Sequence, residues 1–278
     1  MTLEEVVKTK KEHEEARERL CQTLSSSTFS GQEKHALLCQ HRLTHGRQPF
    51  VCPRCWSYLP VCICSLMPTE KILLHRNLSL VVWIHHKEWG LTSNTGGLLG
   101  LILQDCDVLI KGLPEHDCQF NEIIQDLNSL VVVLWPDGNV RREGDDGGPN
   151  YMPIEELRDV LEQKRVVLVA VDGTWRTARR MVSKLAREKV VFTNLPVGVF
   201  QGLLENVKSG YKEGQIQSML APLRARGPSI SEQQVCTAEA VLGALQQMGL
   251  GDDKSELIMT ILKRRVDLVC RYRAKVPR

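Results

Sequence analysis

The run Arg165-Val166-Val167-Leu168-Val169-Ala170-Val171-Asp172-Gly173-Thr174-Trp175 constrains this chain more than any other stretch, because a short β-branched apolar segment ends there in an acid, a glycine turn and an aromatic. Runs of this kind fill parallel strands that are buried on both faces. The continuation Arg176-Thr177-Ala178-Arg179-Arg180-Met181 completes a strand, a sharp turn and a helix. In open α/β sheets ligands gather at the carboxyl ends of such strands, where an Asp accepts bonds from hydroxyl or ammonium groups and a Trp covers an apolar face. Asp172 and Trp175 are therefore site candidates. The structural alternative is that Asp172 caps the following helix and Trp175 packs under the sheet.

The rest of the chain supports the same architecture. Strands are expected at Leu78 to Ile84, running into His85 and His86, and at Asp107 to Ile110, Leu130 to Leu134 and Val190 to Phe192. Helical periodicity falls between them, at Asn94 to Leu103, Phe120 to Leu127, Ile154 to Glu162 and Trp175 to Ala186. This alternation predicts an α/β domain on a parallel sheet. The polar, glycine-rich stretch from Asp137 to Asn150 reads as a surface loop. The C-terminal quarter is helical, with Glu232 to Met248 and Asp252 to Tyr272 divided by Gly249-Leu250-Gly251. Residues 1–48 alternate acids and bases and read as a solvated or partly disordered helix, broken at Ser25-Ser26-Ser27 before a second helical segment around His35 to His41. His13, His35, His41 and His45 lack fixed partners in sequence, so they are expected to face solvent and not to bind metal. The division that follows is an N-terminal extension (1–48), a cysteine knuckle (49–68), the α/β domain (69–250) and a basic C-terminal helix (251–278).

The 36 basic and 33 acidic residues leave a net charge of +3, so contact with nucleic acid has to come from clustering and not from bulk charge. Such clustering is visible at the C-terminus, where Lys263 to Arg278 carries seven basic residues against the single acid Asp267. No apolar run reaches the roughly 18 residues of a membrane span, and the first residues lack the profile of a secretory signal. A soluble intracellular protein, cytoplasmic or nuclear or both, is the expectation.

Four of the ten cysteines fall in one short segment, Cys52-Pro53-Arg54-Cys55 followed by Cys62-Ile63-Cys64. Two close pairs of thiols suit tetrahedral zinc, and four protein ligands make that zinc structural. Spacing alone leaves an iron–sulfur cluster as the alternative. Arg54, Trp56 and Tyr58 lie in the same segment, where they either grip an RNA phosphate and base or pack around the metal. Cys106, Cys118, Cys236 and Cys270 read as core or surface residues.

Asp172-Gly173-Thr174-Trp175 with Ala178-Arg179-Arg180-Met181 resembles the signature of the DTW-domain proteins, the tRNA-uridine aminocarboxypropyltransferases. His85, Glu88 and Asn94-Thr95-Gly96 are similar to a second block of that family, although Asn94 or Thr95 also suits a helix cap and Glu88 a loop acid. Gly97 stands where the family has an Arg, whose contact is then missing or taken over by Arg176 or Arg179. Leu223-Arg224 and Cys236-Thr237-Ala238-Glu239-Ala240 resemble a third block, with Ala221 in place of a Tyr and Cys236 in place of a Ser. Without the family, Thr237 is an N-cap and Glu239 a first-turn acid.

The resemblance implies S-adenosylmethionine as cofactor and transfer of its 3-amino-3-carboxypropyl group to N3 of a uridine in tRNA, with release of methylthioadenosine. It also implies a SPOUT-like knotted α/β fold, and no glycine-rich turn of the Rossmann type follows Val82-Trp83-Ile84-His85-His86. Asp172 then either takes the N3 proton or holds the cofactor amino group, with Glu239 as second candidate base. Trp175 organises the cofactor pocket, and Thr174 and Thr237 offer hydroxyls. His85, Glu88, Asn94, Thr95, Arg179 and Arg224 belong to the substrate side, and Arg264 and Arg265 to the tRNA phosphates. Two other readings stand beside this one: a non-catalytic zinc-knuckle RNA-binding protein, and aminocarboxypropylation of ribosomal RNA.

Overall fold

The computed structural model describes residues 3–26, 29–45, 50–135, 150–186, 188–194 and 236–275. Its centre is a parallel sheet of five strands, β1 (Leu78–His85), β2 (Cys106–Lys111), β3 (Ser129–Leu134), β4 (Arg165–Asp172) and β5 (Val191–Thr193), in the order β2-β1-β4-β3-β5. The unbroken apolar runs of β1 and β4 follow from their place in that order. Both are flanked by strands on either side, and residues 80–84 and 166–170 are buried on both faces. The edge strand β2 is more exposed at its start, and β5 is short.

Helices cover both faces of the sheet. On one face lie α3 (Gly96–Ile102), α5 (Glu156–Gln163), α7 (Thr237–Gln247) and α8 (Asp252–Lys275), packed in one core with the four-cysteine segment. On the other lie α4 (Pro114–Gln125) and α6 (Trp175–Leu185), around Phe120, Met181 and Phe192. α4 starts earlier than periodicity suggests because Pro114, which has no N–H to satisfy, opens its first turn. α8 is no loose basic tail: Ile258, Ile261, Leu262 and Val269 are buried in the core.

The N-terminal segment forms α1 (Leu3–Ser26) and α2 (Gly31–His45), which pack on each other. Their histidines are paired through their rings, His13 on His45 and His41 on His45, with centroids 5.4 and 4.9 Å apart. α2 rests on the short turn that follows β1, where Arg42 donates to the Lys87 carbonyl at 3.0 Å. Cys39 joins Ile110 and Leu113 in a small separate cluster there.

The polar stretch from Asp137 falls outside the described residues as far as 149, and so do Ala221, Leu223 and Arg224. The connection from β5 to α7, on which a knotted topology turns, also lies outside them. Among the described residues no helix is long and apolar enough to cross a membrane.

Candidate functional site

Every strand of a parallel sheet ends at the same edge, so His85, Lys111, Trp135 and Asp172 are brought together as neighbours or near neighbours along one rim. The chain leaves β1 through α3 on one face and leaves β4 through α6 on the other. β1 and β4 are adjacent, with Ile84 opposite Asp172. Connections that part on opposite faces of neighbouring strands open a crevice between them, which is where open α/β sheets hold ligands.

Asp172 sits at that point and is 7% exposed. Its Oδ2 accepts from Asn94 Nδ2 at 2.9 Å and from the Gly96 N–H at 3.2 Å, so the acid closing β4 fixes the loop that leads into α3. Position 96 has to be glycine: a Cβ there would lie 2.2 Å from Asp172 Oδ2 and 2.9 Å from Val82. The same loop is tied from two further sides. Asn94 Oδ1 accepts from the Gly97 N–H at 3.0 Å, and Thr95 Oγ1 accepts from the Ala238 N–H at 3.4 Å, in the first turn of α7. Asn94 is thus the residue whose side chain caps α3.

Two other capping expectations resolve differently from the sequence reading. Thr174, not Asp172, caps α6, accepting from the Thr177 N–H at 3.3 Å. Cys236, not Thr237, caps α7, in a reciprocal box with Glu239, whose carboxylate accepts from the Cys236 N–H at 2.8 Å. Glu239 is 4% exposed, and Thr237 is half-buried beside it. Trp175 is half-buried and tilts against Trp135, with ring centroids 5.7 Å apart.

Arg265 overturns an expectation. A tRNA phosphate contact requires an exposed guanidinium, and Arg265 is 0% exposed. It donates to the backbone carbonyls of Asn94 and Thr92, the second at 3.1 Å, and burial lowers its pKa to about 10 against the opposing influence of Cys55, Cys236 and Asp172. Arg273 adds a bond to Thr92 Oγ1 at 2.8 Å. The charge of α8 is therefore partly spent inward, holding carbonyls of the same loop that Asp172 holds through the Asn94 side chain and the Gly96 N–H. Arg264, the next residue back, is exposed. Arg176, Arg179 and Arg180 are exposed on α6.

His85 ends β1 beside Gly173, where a Cβ would lie 3.6 Å from the His85 Cβ, and burial with nearby cations lowers its pKa to about 4. It is a neutral imidazole at physiological pH. Glu88 is half-buried in the turn that follows.

Against the α3 side of this site stands the four-cysteine centre. Cys52, Cys55, Cys62 and Cys64 present thiols all within 4.8 Å of one another, with Cys52 to Cys64 at 3.6 Å and Cys55 to Cys62 at 3.7 Å. Zn–S bonds of about 2.3 Å in a tetrahedron set sulfur atoms about 3.8 Å apart, so the constellation fits zinc. Trp56, in the left-handed region at φ 56°, turns its ring inward against Trp89, with centroids 4.6 Å apart. At 5% exposure it packs around the centre and does not offer a face to a base. Tyr58 stacks on Phe50 and meets Tyr272 of α8, while Arg54 is exposed.

A protein-family model described as the DTW domain matches residues 49–270, from the cysteine segment into α8. No curated protein and no solved structure matches the chain.

Proposed function

Since the chain belongs to the DTW-domain family, we propose that it transfers the 3-amino-3-carboxypropyl group of S-adenosylmethionine to N3 of a uridine in tRNA, leaving methylthioadenosine. The observation that carries this reading is the placement of Asp172 at the end of β4, opposite Ile84 of β1, with Asn94 and Gly96 on its carboxylate. The donor set suits the cofactor: a carboxylate for its ammonium group, the Thr174 and Thr237 hydroxyls for its polar parts, and the Trp175 ring for an apolar face. The sulfonium supplies an activated γ-carbon when the cofactor is bound.

Uracil N3 loses a proton as the new N–C bond forms, and the electron pair of the broken C–S bond leaves with methylthioadenosine. A carboxylate near N3 takes that proton. Asp172 is the first candidate and the alternative holder of the ammonium group; Glu239, already bonded in the α7 cap, is the second. The network around Asn94 holds the loop in one conformation, and orientation of this kind contributes up to about 7–11 kcal/mol to a barrier.

In this proposal the knotted SPOUT-like topology completes the cofactor pocket, zinc occupies the four-cysteine centre, and residues 69–250 carry the transferase. Arg179 on α6 and Arg264 on α8 face the tRNA, as Arg224 does in the family pattern. His85, Glu88, Asn94 and Thr95 shape the substrate side.

The test is mass spectrometry of nucleosides from unmodified tRNA incubated with the protein and S-adenosylmethionine. A uridine heavier by one aminocarboxypropyl group, with methylthioadenosine released, is the expected result. A methylated nucleoside would refute the transfer chemistry, and the modified uridine arising only in a parallel incubation with ribosomal RNA would refute the substrate. Gly97, which has no side chain to replace the family's Arg, favours one rival, a non-catalytic RNA-binding protein; retained tRNA binding with no product would establish it.

A further inference from the structure

A second cluster of metal-ligating groups lies outside both the four-cysteine centre and the Asp172 network. α2 carries His35 and Cys39 four residues apart, on one helical face. That face meets the turn after β1, and His86 of the turn completes a set of three groups whose ligand atoms all lie within 4.8 Å of one another. Cys39 is 0% exposed and His86 is 7% exposed, whereas His35 is exposed and opens the cluster to solvent.

Packing explains part of this arrangement, since the His35 and His86 rings meet edge to face with centroids 5.1 Å apart. Two observations go beyond packing. Among the described residues the His86 Nδ1 is buried with no hydrogen-bond partner, a costly state for a polar atom inside a protein. The second is Gly112, which at φ +99° leaves the cluster its room: a Cβ there would lie 2.5 Å from both Cys39 Sγ and His35 Cε1.

We propose that His35, Cys39 and His86 form a second metal site, for a borderline-soft divalent cation of the zinc class, which clasps α2 to the sheet edge. Two imidazoles and a thiolate are a donor set that zinc takes readily. The Cys39 Sγ to His35 Nδ1 separation of 3.6 Å equals the roughly 3.6 Å expected between sulfur and nitrogen ligands on one tetrahedral zinc. The remaining ligand atoms lie within 4.8 Å of one another. As the metal–sulfur bond forms, the Cys39 proton leaves to solvent.

The surroundings bear on the charge of the ion. Arg42 and Lys87 face His86, and Lys111 faces Cys39, while the Asp117 carboxylate, held by the Gly112 N–H at 3.0 and 3.1 Å, offsets them. The thiolate brings a further negative charge, so the site holds one divalent ion and no second cation. Three protein ligands leave one coordination position for water. The clasp joins α2, which lies outside the family match at 49–270, to the residue that follows His85 at the rim of the candidate site.

The test uses the full chain and does not depend on the transferase reading. Protein is given excess zinc, desalted and counted for metal by mass spectrometry, as wild type and as His35→Gln and Cys39→Ser. Wild type is expected to retain one zinc equivalent more than either variant, the four-cysteine centre being common to all. His35→Gln alters an exposed helical position, so its fold is kept, and circular dichroism verifies this. Added zinc is expected to raise the melting temperature of wild type more than that of His35→Gln. Equal zinc counts and equal melting shifts in wild type and His35→Gln overturn the proposal.

Discussion

Trp56 occupies the space that a side chain at Gly97 would need: a Cβ on Gly97 would lie 2.3 Å from Trp56 Cζ3 and 2.4 Å from Cη2. The position at which the sequence pattern led to the expectation of an Arg is thus filled from the cysteine segment. The indole lies over the first turn of α3, one residue beyond the glycine that approaches Asp172. The four-cysteine cluster and the candidate site share this contact.

Gly97→Arg is accordingly expected to destabilise the protein, because a buried ring has to move to admit the new side chain. Overpacking of this kind costs about 1–3 kcal/mol. Chemical denaturation measures it. Trp56→Ala in the same chain is expected to recover part of the loss, giving a coupling between the two positions in a double-mutant cycle. A Gly97→Arg protein as stable as wild type would contradict the contact.

Arg264 and Arg265 are expected to behave in opposite ways. Arg265→Met leaves the carbonyls of Asn94 and Thr92 buried without their donor, a change that costs about 1–3 kcal/mol for each unsatisfied group. Arg264→Glu alters an exposed side chain, for which the stability change is about 0.5 kcal/mol or less. With tRNA the order reverses among folded proteins: Arg264→Glu is expected to weaken binding to all tRNAs alike and to flatten its salt dependence. Urea midpoints and filter binding across a salt series read the two effects. An Arg265→Met protein of undiminished stability would defeat the assignment.

These two arginines also mark how far the sequence could be read. β4, its turn and α6 were legible because a doubly buried strand and an amphipathic helix impose different periods on adjacent residues. The cysteine centre was legible because its ligands are close in the chain. Arg265 was misread by counting charge along the tail, although it falls three or four residues from Ile261, Leu262 and Val269, on the apolar stripe of α8. That spacing was the available signal. The caps of α6 and α7 shifted by one or two residues because Asp, Thr and Cys all accept from a helix N-terminus and tertiary contacts select among them. His35 and Cys39 carried no signal pointing to a partner, since His86 reaches them only through the docking of α2. Gly97 was visible as a departure, but its cause lies in Trp56, far back in the chain.

Asp172 and Gly96 provide a test of the site itself. Asp172→Asn keeps an oxygen for the Asn94 and Gly96 donors but cannot take a proton. If Asp172 is the base, turnover is expected to fall by about 10²–10⁴ while cofactor affinity survives; lost affinity would assign it to cofactor binding. Gly96→Ala forces a methyl group against Asp172 Oδ2. A displacement of about 1 Å at the reacting centre costs on the order of 100-fold in rate, so this variant is expected to lose turnover without any change in its ionisable groups. Single-turnover rates together with calorimetry of cofactor binding separate the two outcomes. Full activity in Gly96→Ala would remove the loop from the site.

Removal of metal from the four-cysteine centre is expected to act on the same loop. The turn that carries Trp56 is held by backbone bonds from the Trp56 N–H to the Cys52 carbonyl at 3.0 Å and from the Cys52 N–H to the Ser57 carbonyl at 2.8 Å. A bound ion adds four bonds between this turn and the Cys62 to Cys64 segment, and metal-site binding energy of this kind is folding energy. Without it the bonds through the ion between this turn and the Cys62 to Cys64 segment are lost, leaving the Cys55 thiol its bonds to Ser57 and Ile63, and the Trp56 ring loses part of the support that keeps it over Gly97. Chelation is therefore expected to lower the melting temperature and to weaken cofactor binding together, with both recovered on adding zinc back. In Trp56→Ala the first effect is expected to persist while the second shrinks, because the ring that transmits it is gone. A chelated wild-type protein that keeps its cofactor affinity while its melting temperature falls would separate the metal centre from the site.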